Sequence, residues 1–109
     1  MNNPHELSDR FGRAKDCKIA ARLRLAPEVA EIAKANLQRW ILQRQGQAIN
    51  PAFLEWQQIL RALTPTQLAD FLESDSPKAN RLRQSSPFCG ILSDEERLFI
   101  LHDCEQGRA

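Results

Sequence analysis

A chain of 109 residues has room for one modest hydrophobic core, burying roughly two thirds of the surface its unfolded form would expose. With 42% hydrophobic and 27% charged residues it is too apolar for a disordered chain. A formal net charge of +1 excludes a global field strong enough to draw the whole molecule to nucleic acid or an anionic membrane, so such a partner would need a local patch.

The three cysteines, Cys17, Cys89 and Cys104, fit no disulfide framework, and a reducing, cytoplasmic home is the simplest expectation. The polar stretch from Met1 to Arg13 lacks the apolar run of a secretory signal. No segment approaches the roughly 20 apolar residues that a membrane span needs. Leu occurs 14 times and Ala 13 times against one Val, two Thr and no Tyr, so the residues that favour strands are scarce and helix is expected throughout.

Residues 1–7 are expected to form a flexible terminus, followed by a single helical domain over residues 8–107. Ser8 is placed to cap a first helix through Phe11, Ala14, Cys17 or Lys18, Ala21 and Leu25. Its segment from Arg10 to Arg24 carries six basic residues against Asp16 alone, the most basic stretch of the chain. Pro27 suits the first turn of a second helix, because its missing amide hydrogen would have no intrahelical partner there. Val29, Ile32, Ala33, Asn36 or Leu37, Trp40 and Ile41 then recur at three- and four-residue steps, predicting a buried face that includes Trp40. Gly46 fits the stop.

The next three starts repeat one device, a capping residue followed by proline, at Asn50-Pro51, Thr64-Pro65 and Ser76-Pro77. Phe53, Trp56, Leu60 and Leu63 mark the inner face of the third helix; Leu68, Ala69, Phe71 and Leu72 mark that of a short fourth. Thr64 with Gln67 has the spacing of a capping box. A fifth helix from Pro77 carries Ala79 and Leu82 and ends at Ser85-Ser86-Pro87, since a residue before proline avoids the helical region. Ser93 with Glu96 opens a last helix through Leu98, Ile100, Leu101 and Cys104, which Gly107 closes. The expected fold is all-α, an irregular or orthogonal bundle of five or six short helices in a single domain.

Three constellations bear on function. The segment LTPTQLADFLESDSPKANRLRQ, residues 63–84, resembles a helix-turn-helix, with two short helices either side of a tight polar turn. That resemblance implies a second helix exposing Lys78, Asn80, Arg81, Arg83 and Gln84, of which Arg, Asn and Gln can read base edges while Lys neutralises phosphate. Glu73 and Ser74 depart from the glycine and apolar anchor usual at such a turn, and Glu73 and Asp75 would repel phosphates. The second constellation is the basic first helix, whose Arg10, Arg13, Lys18, Arg22 and Arg24 could contact phosphates, an anionic membrane surface or an acidic partner protein. The last helix, with Asp94, Glu95, Glu96, Asp103 and Glu105 against Arg97, is acidic enough to pair with it within one molecule or between subunits. The third is the apolar loop SPFCGIL, in which Phe88, Ile91 and Leu92 follow no helical period and either close the core or anchor a partner.

Catalysis and metal binding have weaker footing. His102 and Cys104 lie two residues apart on one helix, pointing about 200° away from each other, and His5 and Cys17 would have to complete a zinc site from the far end of the chain. Cys89 sits in a loop with no base or cation assigned to it, and no phosphate-cradling glycine loop exists among four Gly. No cofactor, metal or enzymatic activity is expected. The expected role is a non-catalytic interaction or regulatory module that binds another macromolecule, through a protein partner or self-association. The alternative is nucleic-acid binding through residues 64–84.

Overall fold

The computed structural model describes residues 4–107, with side chains from Glu6 onward. Six α-helices occupy most of it: α1 (Pro4–Leu25), α2 (Val29–Gln43), α3 (Pro51–Ala62), α4 (Pro65–Glu73), α5 (Pro77–Leu82) and α6 (Asp94–Glu105), with a 3-10 turn at Arg83–Ser85 after α5. No strand occurs among the described residues, so the chain is an all-α helical bundle. No helix among them is long and apolar enough to cross a membrane.

The proline device works as the chemistry requires. Asn50 accepts a hydrogen bond from the Ala52 amide, Ser76 from the Ala79 amide, and both Thr64–Gln67 and Ser93–Glu96 close complete capping boxes. Gly46 and Gly107 adopt φ of 81° and 76° just beyond α2 and α6, the left-handed backbone that side chains disfavour. Two starts differ from expectation. α1 begins at Pro4, where proline's missing amide hydrogen costs nothing, so Ser8 lies inside the helix and is not its cap. Met1–Asn3, the rest of the terminus expected to be flexible, lie outside the described residues. Pro27 stands in the turn before α2, bridged by hydrogen bonds from Val29 to the Ala26 carbonyl (3.0 Å) and from Ala30 to the Pro27 carbonyl (3.1 Å).

α1 is the spine. It packs most extensively on α4 and then along α6, while α2 packs on α3. Its inner face supplies Ile19, Ala20 and Leu23 to a core completed by Leu37, Trp56, Leu60, Leu68, Leu72 and Leu82. Trp56, 1% exposed, is the centre: Phe71 and Phe88 meet its ring edge-on at 5.7 and 5.9 Å, and its indole nitrogen donates to the Leu82 carbonyl at 3.1 Å. Trp40, expected to be fully buried, is only half-buried and rests on Phe53 at 5.4 Å. It follows the last fully buried residue of α2, Leu37, so its ring covers the core edge.

Candidate functional site

The residues expected at the surface divide sharply. Arg83 is nearly excluded from solvent, and its Nε donates to Asp16 at 3.1 Å while its other nitrogens reach the carbonyls of Leu72 (2.9 Å) and Ser74 and the side chain of Asn80. It ties α1 to the C-terminal end of α4 and so is not available to a base edge. Asn80 also turns back on Asp75, Arg81 pairs with Glu55 at 2.9 Å, and α5 itself runs for six residues only. Of the helix-turn-helix set, Lys78 and Gln84 alone are exposed without a side-chain partner among the described residues. Glu73 and Asp70, on α4, are held by Arg24.

Phe88 and Leu92 are buried in the core, so of the two expectations for this loop they follow the one in which it closes the core. Their loop is drawn inward because Asn36, buried on α2, donates to the Pro87 and Cys89 carbonyls at 2.9 and 3.0 Å. Arg22 donates to the Ile91 carbonyl at 2.8 Å, leaving Ile91 half-buried. The same Arg22 pairs with Glu96, so this arginine is a link between α1 and α6 rather than a free contact. Its guanidinium and the Ser93 amide hold the Glu96 carboxyl at about 2, well below its ordinary value.

Arg22–Glu96 and a hydrogen bond from Arg10 to the Cys104 carbonyl (3.1 Å) show that α1 and α6 run antiparallel. Between these links lies a groove of about 1010 Å³. Ala14, Cys17 and Ala21 of α1, with Phe99 and Ile100 of α6, form its apolar lining. Arg10, Arg13 and Lys18 stand on the α1 wall and Glu95, Glu96 and Asp103 on the α6 wall; Arg13 is engaged by Asp75 (3.5 Å) and Glu96 by Arg22, while Lys18 and Glu95 enter no ion pair among the described residues. Phe99 is 68% exposed and its neighbour Leu98 65%, although Leu98 was expected on the packed face of the last helix. The fold therefore brings Arg10 and Arg13 to a common apolar surface and leaves Phe88, Leu92 and Arg22 out of it.

Phe99, Ile100 and Cys17 were not among the sequence candidates. The signal was present: Leu98, Phe99, Ile100 and Leu101 are four consecutive apolar residues on a helix, and one buried stripe cannot take all four. Burial and the negative charge of Glu73 raise the Cys17 thiol above its ordinary range, so it stays protonated at neutral pH. Burial likewise raises Cys104. No group of three or more His, Cys, Asp or Glu among the described residues is arranged to hold a metal ion, and His5 lies outside the described side chains. No family model, no curated protein and no solved structure matches the chain.

Proposed function

We propose that this chain is a non-catalytic protein-interaction module that receives an amphipathic helix in the α1–α6 groove. The observation that carries the reading is the exposure of Phe99 in the lining of a concave apolar surface, with Leu98 exposed next to it in the chain. Fully covering such a side chain is worth roughly 1.5–3 kcal/mol, and soluble domains seldom leave neighbouring large apolar groups uncovered without a use. The groove spans Arg10 to Ala21 on α1, about 17 Å at 1.5 Å per residue, which suits a helix of about three turns. Its ionic walls would orient the incoming helix and reject one of the wrong charge pattern. DNA binding through residues 64–84 has less support, because Asn80, Arg81 and Arg83 are each engaged within the molecule.

Cys17 offers the test. In a Cys89→Ser background it is the exposed thiol, Cys104 being buried, so a photoreactive group attached to Cys17 samples the groove. Irradiation of the labelled chain in its native extract is expected to join it to a protein, through a helical segment of that protein. Phe99→Asp is expected to abolish the cross-link while leaving the helical spectrum intact. Cross-linking to nucleic acid, or to nothing, overturns the reading.

A further inference from the structure

The groove is complementary to itself, and we infer that its occupant is a second copy of this chain, paired through α1 and α6 about a twofold axis running along the groove. This rests on the reading of the groove as a helix-docking surface and replaces the single incoming helix by two, α1 and α6 of the second copy, which close over it. The argument is one of symmetry and charge. A twofold axis along the groove lays the basic α1 wall of each copy on the acidic α6 wall of the other; an axis across it would oppose like walls. Because α1 and α6 are antiparallel within one molecule, the first arrangement sets each α1 antiparallel to α6 of the second copy. Four helices, two from each copy, then form an up-down-up-down bundle with every neighbour antiparallel.

The side chains suit that bundle. Arg10, Ala14, Cys17 and Ala21 follow steps of four, three and four residues, the heptad spacing of a helix seam, and the small central residues leave room for Phe99 of the second copy. A rotation about the groove axis preserves height along it. From the heights of the Arg22–Glu96 and Arg10–Cys104 links, Lys18 comes beside Phe99 and roughly 6–8 Å along the axis from Glu95 of the second copy, a gap two long side chains can span. Lys18 and Glu95 are both exposed, and neither has an ion-pair partner among the described residues. The pair forms twice in a symmetric dimer.

Sedimentation equilibrium of the full chain over a concentration series, with charge-swap variants, tests the inference. A dimer that dissociates on dilution is expected. Lys18→Glu and Glu95→Lys should each weaken it by about tenfold or more, because each opposes like charges at two symmetric places. The Lys18→Glu/Glu95→Lys double variant should recover the wild-type association. Both substitutions lie on exposed side chains, and circular dichroism of the three variants checks that each is folded. A dimer indifferent to the single swaps, or one the double swap fails to restore, overturns the inference by placing the contact elsewhere. A monomer at every concentration also overturns it; if Cys17 still cross-links to a different protein, the docking role of the groove survives, and if it cross-links to none, both fall.

Discussion

Two tryptophans at similar helical spacing carry very different weight. Trp56 is enclosed by Phe71 and Phe88 and satisfies its indole nitrogen on Leu82, whereas Trp40 leans on Phe53 at the margin. Trp56→Ala is therefore expected to cost about 3–5 kcal/mol, as removal of a large core side chain does, and Trp40→Ala roughly 1–2 kcal/mol, in keeping with half-burial. Urea unfolding of the two variants gives the comparison; equal losses would contradict the depths assigned to them. Periodicity put both rings on inward faces, because spacing determines direction around a helix. It does not determine how far along the helix the core extends, and that is set by which helices cross it. Asn36 shows the same limit: it shares the inward face with Leu37, yet its amide serves a loop some 50 residues away in sequence, as its separations of 51 and 53 from Pro87 and Cys89 show.

That loop is where an irregular segment becomes part of the core. Ser86 to Leu92 has no ladder of its own, and the carbonyls of Pro87 and Cys89 are satisfied by Asn36 from α2 and that of Ile91 by Arg22 from α1. Asn36→Ala would leave two carbonyls without that partner, at a cost of about 1–3 kcal/mol. The amides of Phe88 to Leu92 are expected to exchange with solvent faster in that variant than in the wild type, while those of α4 keep their protection. Uniform loss of protection would show instead that the loop and the helices open as one unit. Helix starts were the most legible feature of the chain, since a cap and a proline act within a few residues of each other. The exposed face of α6 was less so: the capping box at Ser93–Glu96 starts the helix but does not choose which of Leu98, Phe99, Ile100 and Leu101 faces α1. That choice follows from Arg22 and Arg10, two contacts between opposite ends of the chain.

Two of the long-range links, Arg83–Asp16 and Arg22–Glu96, carry opposite dependences on pH. Asp16 is buried beside Arg83, and loss of solvation raises its carboxyl to about 6 against the opposing pull of Arg83. Glu96, held by Arg22 and the Ser93 amide, is lowered to about 2. The raised group contributes stability that is fully present below the ordinary value of 3.8 and is lost as pH rises through about 6. The lowered group does the reverse: its contribution is present above 4.5 and lost as pH falls through about 2. Between 3.8 and 4.5 both contributions are largely retained, so these two groups place their joint maximum there. The fall on the alkaline side, integrated over the shift of Asp16, is on the order of 3 kcal/mol. Above it the ionised pair still matters, because Asp16→Ala at neutral pH strands a buried guanidinium and is expected to cost about 3–5 kcal/mol. Thermal unfolding from pH 3 to pH 7 separates the two groups: Asp16→Asn should flatten the decline toward neutrality and Glu96→Gln the decline toward acid, each leaving the other limb in place. If Asp16→Asn left the neutral-side decline unchanged, some other group would have to carry it, and the buried bond from Arg83 to Asp16 would be holding a carboxylate ionised throughout that range.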